Sequence, residues 1–158
     1  MSQLHPDVEV RRSAIEGSGL FAGRPIPAGT VVARLTGRLV STAELHRAFA
    51  AATEYVDTIG IDDDQHLILP PGQPIHFGNH SCDPTMWHVD AYTLAARRDL
   101  AVGTELTVDY ASQTTEPGFR MACRCAAANC RGVVTGDDWR SVDFAGHAVP
   151  AVLKRQLR

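Results

Sequence analysis

Cys123, Cys125 and Cys130 stand in the spacing C-x-C-x4-C, and Cys82 is the only other cysteine of the chain. Four thiolates are the number a closed tetrahedral zinc site takes, and a site closed in this way leaves no position for water or substrate, so its metal is structural. Arg124, Asn129 and Arg131 lie among the three clustered cysteines. Cysteines that merely pack as small hydrophobes sit in apolar surroundings instead. Spacing alone leaves open a mixed ligand set in which His80 or His88 joins the cysteines. Cys82 belongs to "GNHSCDPTMW" (78–87), where Asn79 and His80 add hydrogen-bonding chemistry beside the thiol.

A second segment, "GSGLFAG" (17–23), superficially matches a dinucleotide-binding glycine loop. That fingerprint must lead into a helix, and Pro25 and Pro27 follow here, so the dinucleotide reading fails. Gly17 and Gly19 still let backbone approach a small polar ligand closely, although an ordinary turn is the commoner use of such glycines. The third segment, "GTELTVDY" (103–110), reads as a turn and then a strand with Glu105, Thr107 and Asp109 on one face and Leu106, Val108 and Tyr110 on the other. The Tyr110 hydroxyl is either a catalytic group or the satisfied polar tip of a core aromatic, and nothing local decides between them.

The elements that must hold these groups are mostly strands: "VEV" (8–10), "TVVARL" (30–35), "HLIL" (66–69), "YTLAA" (92–96) and "ELTVDY" (105–110), each bounded by turn residues. "AGRPIPAG" (22–29) cannot be regular helix. One helix is predicted from "STAE", where Ser41 and Glu44 have capping-box spacing and Leu45, Ala48, Phe49 and Ala52 share a face. A second is expected in "VPAVLKRQLR", with Pro150 in its first turn. The pattern is that of a mainly β domain with few short helices.

A chain of 158 residues, 44% hydrophobic and 21% charged, fits one core. Neither an apolar run long enough to span a bilayer nor a secretory signal pattern is present, so a cytoplasmic protein without membrane contact is expected. A formal net charge of −3 with interspersed signs gives no electrostatic grip on nucleic acid, and direct nucleic-acid binding is not expected.

Taken in order, "GSGLFA", "TVVARLTG", "NHSCDP", "ELTVDY" and "CRCAAANC" resemble the SET-domain family of lysine methyltransferases with its post-SET cysteine segment. The resemblance runs from about Val10 to Gly132. It implies a fold of small curved β-sheets in which the "NHSC" stretch threads past "ELTVDY" as a pseudoknot. It divides the chain into a SET domain (1–118), a post-SET zinc segment (119–135) and a C-terminal tail (136–158), helical at its end. It implies that Gly17, Ser18, Gly19, Leu20, Asn79 and His80 contact S-adenosylmethionine, and that Cys82, Cys123, Cys125 and Cys130 hold a structural Zn2+. Tyr110 matches the family's active-site tyrosine, and the implied partner is a protein or peptide carrying a lysine. The chain departs from the family pattern at His76, where an arginine is usual, at Thr85, where an asparagine is usual, and at Leu35, where an aromatic is common. Leu35, Tyr55 and Trp87 fall where members have channel or core aromatics. These departures keep open a methyltransferase acting on another nucleophile; a zinc-stapled interaction module with little activity is the remaining alternative.

Overall fold

The computed structural model describes residues 1–141; the expected C-terminal helix lies outside them. Strands β1 (Gln3–Leu4), β2 (Val8–Arg12), β3 (Ser18–Ala22), β4 (Val31–Arg34) and β5 (Arg38–Val40) precede the helix α1 (Thr42–Ala51). Strands β6 (Thr58–Asp62), β7 (Gln65–Ile68), β8 (Met86–Asp90), β9 (Thr93–Ala96), β10 (Glu105–Leu106), β11 (Arg120–Ala122) and β12 (Val133–Thr135) follow it. The expected mainly β architecture of small sheets is what the described residues form: four sheets, ordered β1-β4-β9-β8, β10-β3-β2, β5-β7-β6 and β11-β12.

Apolar side chains from the first three sheets meet in one core, among them Leu20, Val32, Leu67, Leu94 and Leu106. Sheets this short cannot each bury a face alone, so their convergence on a shared core is what stabilises them. The helix begins as its sequence predicts: Ser41 Oγ accepts from the Glu44 N–H, and Glu44 Oε2 accepts from the Ser41 N–H at 2.8 Å. Its buried anchor is Leu45.

The proline-rich 23–29 segment is irregular, yet hydrogen bonds from the backbone N–H groups of Gly23, Ile26, Ala28 and Gly29 pin it along its length. Ile26 and Leu100 exchange backbone hydrogen bonds of 2.9 and 2.8 Å, and the Ile26 side chain is buried. Trimming it, Ile26→Val, is expected to cost about 0.5–1.5 kcal/mol, read as a lower denaturation midpoint at unchanged slope.

One sequence expectation needs correction. "ELTVDY" is not a six-residue strand with two distinct faces: only Glu105 and Leu106 pair with β3, opposite Phe21 and Leu20. From Thr107 onward the backbone bonds to the 79–86 segment instead. Thr85 and Met86 N–H both donate to the Thr107 carbonyl, Val108 N–H donates to Asn79, and Ser81 N–H donates to Val108. His80 and Val108 thus form a parallel bridge. With chain packed on both sides, Thr107, Val108 and Asp109 are all buried, and the expected alternation is lost.

Candidate active site

The glycine loop, the "NHSC" segment and the end of "ELTVDY" are brought together by this crossing. Gly17 has φ of +45°, with nothing within 4 Å of where a Cβ would stand, so it lines open space in a conformation that favours glycine. Gly19 is needed for the opposite reason: a Cβ there would lie 2.2 Å from Glu105 Oε1. Ser18 and Leu20 continue into β3, and Leu20 turns into the core. Asn79 ties the loop to the segment, its Nδ2 lying 3.1 Å from the carbonyls of Glu16 and Ser18 and 2.9 Å from Glu105 Oε1. Ser13 Oγ donates to the same carboxylate at 2.8 Å. Glu105 therefore gathers three separate stretches of chain, a role its place in an alternating strand did not signal.

His80 is enclosed. Its Nδ1 accepts the Tyr110 N–H at 3.1 Å, which fixes the proton on Nε2, and Nε2–H points to Cys82 Sγ at 3.3 Å. Burial holds the imidazole in its neutral form, with its pKa lowered to about 4. Asp109, 3.6 Å from the ring, is therefore not its ionic partner; Arg131 takes that carboxylate in two bonds of 2.8 and 2.9 Å. Both ring nitrogens being spent, only the main chain of His80 remains for a ligand. Its own N–H and C=O are outside the ladder that its neighbours make with Val108.

The four cysteine Sγ atoms lie within 4.8 Å of one another, and Cys82 and Cys123 are 3.8 Å apart. A zinc ion with Zn–S bonds of about 2.3 Å sets tetrahedral thiolates about 3.8 Å apart, so the donor set fits that ion. Neither His80 nor His88 belongs to the cluster; His88 Nδ1 faces the Asp90 carbonyl and Nε2 faces Gln113. Burial pushes the Cys82 and Cys123 thiols up, whereas Cys125, subject to burial too, is brought down to about 6 by backbone and thiol hydrogen bonds. So close a group cannot ionise together without a cation between them. The β11–β12 hairpin carries the three clustered cysteines, and the cluster joins it to the "NHSC" segment. Asn129 Nδ2 donates to the Cys82 carbonyl, and Arg131 N–H donates to Cys82 Sγ.

Tyr110 also lines a cavity of about 560 Å³. Leu35 and Tyr55 line it; Trp87 does not, and the Arg97 guanidinium lies 5.6 Å from its ring centroid. The Tyr110 hydroxyl donates to the Gly78 carbonyl at 2.9 Å, and burial raises its pKa above the ordinary phenol value. A neutral phenol is thus held at the cavity wall. His76, also in the wall, contacts Asp57 Oδ2 through Nδ1 at 2.7 Å and the Pro70 carbonyl through Nε2 at 2.5 Å. Burial raises the pKa of Asp57 despite this partner. Thr85 Oγ1 donates to the Glu105 carbonyl and accepts the Thr107 N–H, which pins the crossing without an asparagine.

The SET-domain family profile matches residues 17–111, the span that holds the glycine loop, the crossing and Tyr110, and the chain belongs to the SET-domain family. Its fold is that of the methyltransferase domain of human histone-lysine N-methyltransferase SETMAR, with a TM-score of 0.68 at 21% identity over 84% of this chain and 58% of that one. It is 30% identical over 153 residues to histone-lysine N-methyltransferase ash1 of Drosophila melanogaster, covering 85% of this chain and 7% of that protein. It is 31% identical over 159 residues to histone-lysine N-methyltransferase ATX2 of Arabidopsis thaliana, covering 90% of this chain and 14% of that protein. The chain thus spans a small part of these curated relatives.

Proposed function

We propose that this chain is an S-adenosylmethionine-dependent methyltransferase that modifies the side-chain amine of a lysine in a protein. The observation that carries the reading is the double engagement of Tyr110: its N–H is bonded to His80 of the glycine-and-asparagine cradle, while its side chain lines the cavity. A donor site and an acceptor site that share a residue are what direct group transfer requires. The relatives are named as histone-lysine methyltransferases, which supports a protein lysine as the acceptor.

The cradle fits the cofactor's polar end: the Gly17 backbone borders open space, and the main-chain groups of His80 are outside the ladder. S-adenosylmethionine, when bound, supplies an activated methyl group on a sulfonium. The chain's residues do the rest. Gly17, Ser18 and Asn79 bind and orient, Leu35 and the neighbouring core side chains exclude water, and the Tyr110 hydroxyl and the Gly78 carbonyl orient the reacting groups. A free lysine has a pKa near 10.4, and the apolar part of the cavity disfavours its charged form, so the amine sheds its proton before attack. Tyr110, a neutral donor, is not assigned that proton.

In this reading residues 1–118 form the SET domain, 119–135 a post-SET segment holding one zinc ion, and 136–158 a tail. A reducing, cytoplasmic setting belongs to it, because thiols there remain ligands rather than disulfides. Leu35 and the His76–Asp57 pair favour a second reading, the same chemistry on another nucleophile. Turnover of a lysine peptide against its arginine counterpart separates the two, and labelled-methyl transfer into a lysate, with the modified residue mapped, identifies the acceptor. Asn79→Ala removes the tie to Glu16, Ser18 and Glu105 and is expected to weaken S-adenosylmethionine binding about tenfold or more in a calorimetric titration. Unchanged affinity would remove Asn79 from the cofactor site.

A further inference from the structure

The 158-residue sequence contains a single lysine, Lys154, against fourteen arginines. None of the described arginines lines the cavity beside Tyr110, whereas three carboxylates do: Glu54, Asp57 and Glu116. Asp57 is paired with His76 and Glu116 with His46, and Glu54 makes no ion pair among the described residues. With His46 and His76 in the same lining engaging the other two, Glu54 is the carboxylate left to meet a cationic side chain.

We propose that Lys154 of this chain's own C-terminal segment enters that cavity and is methylated in cis; the proposal rests on the methyltransferase reading above. Two observations make this segment the occupant. The last described turn, Asp138–Arg140, packs against the Tyr110–Ser112 turn, so the chain leaves the described region at Ser141 beside the element that carries Tyr110. Lys154 follows Ser141 by thirteen residues. Extended, that length reaches about 43–47 Å, while a domain of this size has a radius of gyration of about 14 Å, so the cavity is within reach. The second observation is complementarity. The segment reads "AVLKRQLR", apolar up to Leu153 and basic at Lys154, Arg155 and Arg158, and the cavity combines an apolar lining with acidic groups. Covalent attachment can raise the local concentration of such a segment to the order of millimolar, an advantage over any free peptide.

In the step itself the lone pair of the neutral Lys154 amine forms the new N–C bond to the methyl group of S-adenosylmethionine. The C–S bond breaks with its electron pair going to sulfur, which becomes a thioether, and the nitrogen's surplus proton passes to solvent. Since the segment would then occupy the site that other substrates need, it also competes with them.

The test uses the full chain in two measurements. In the first, protein and S-adenosylmethionine alone are followed by intact mass and peptide mapping. Methyl groups are expected on Lys154, at a fractional rate that does not change on dilution of the protein, and are expected to be lost in Lys154→Arg. The second needs no turnover: a zero-length carbodiimide, without cofactor, is expected to join the Lys154 amine to Glu54, Asp57 or Glu116. An unmodified Lys154 in protein that methylates lysines of a lysate would overturn the proposal and leave the methyltransferase reading standing. So would a rate that rises with protein concentration, which makes a second copy the acceptor, or coupling to carboxylates elsewhere, such as Asp62 to Asp64. Coupling to the cavity carboxylates without methyl transfer to any acceptor would instead sink the methyltransferase reading, and methylation in cis with it.

Discussion

Replacing Tyr110 by Phe is expected to slow methyl transfer by about 10²-fold or more, with the affinity for S-adenosylmethionine little changed. The substitution deletes one oxygen. That oxygen donates to the Gly78 carbonyl at 2.9 Å and is held neutral by burial, so it is a fixed dipole at the cavity wall rather than a titrating base. The ring contact with His80, at 5.2 Å between centroids, and the main-chain bond between the same residues survive in the variant. Folding should lose only about 0.5–1.5 kcal/mol, the net worth of one hydrogen bond. Single-turnover kinetics beside a calorimetric titration check both parts. Wild-type turnover in the variant would return Tyr110 to the role of a core aromatic, and a parallel loss of cofactor binding would show that the hydroxyl holds the cradle rather than the transition state.

Cys82→Ser should remove most of the zinc and detach the 119–141 segment from the core. Purified wild-type protein is expected to carry one zinc ion per chain by elemental analysis. Structural zinc in small zinc-binding peptides contributes about 10–16 kcal/mol of apparent binding free energy at pH 7, and that energy is coupled to the order of its ligands. With zinc bound as proposed, the cluster would be the strongest link between the β11–β12 hairpin and the "NHSC" segment. It works beside the hydrogen bonds of Asn129 and Arg131 and the paired bonds from Arg131 to Asp109. After zinc loss these polar contacts remain, but each is worth little alone. Limited proteolysis should then cut within 119–135, while the core built on Leu20, Val32, Leu94 and Leu106 keeps a cooperative transition. A strong chelator should reproduce the effect in the unmutated protein. Full zinc occupancy in the variant would strike Cys82 from the ligand set.

Much of this molecule was legible in its sequence where the signal is local. The capping box at Ser41 and Glu44 formed as spacing required, because both partners lie within one turn. Strands β2, β4, β7 and β9 lie where β-rich segments were read, with ends differing by one or two residues. Seven of the described strands have no such segment behind them: β3 carries a glycine next to its start, β6 another at its centre, β8 follows the turn-forming "CDPT", and β1, β5, β11 and β12 are only two or three residues long. For β3, part of the pairing comes from a partner distant in sequence, Leu106 opposite Leu20.

The sequence by itself determined the donor inventory: four thiols, a glycine loop without a following helix, and a tyrosine closing "ELTVDY". Residue types and short spacings are enough for that, since ligand chemistry is a property of the side chain. What only the tertiary structure decided is which groups meet and in which state. It excluded His80 and His88 from the thiol cluster, turned the His80 ring inward between Tyr110 and Cys82, made Glu105 the common acceptor of Ser13 and Asn79, and paired His76 with Asp57. Each of these contacts except that of His80 with Cys82 spans nineteen residues or more, and none leaves a periodic trace. They exist because buried donors and acceptors must find partners once the 79–86 segment crosses Thr107 to Asp109, and that crossing is a property of the folded chain rather than of any stretch within it.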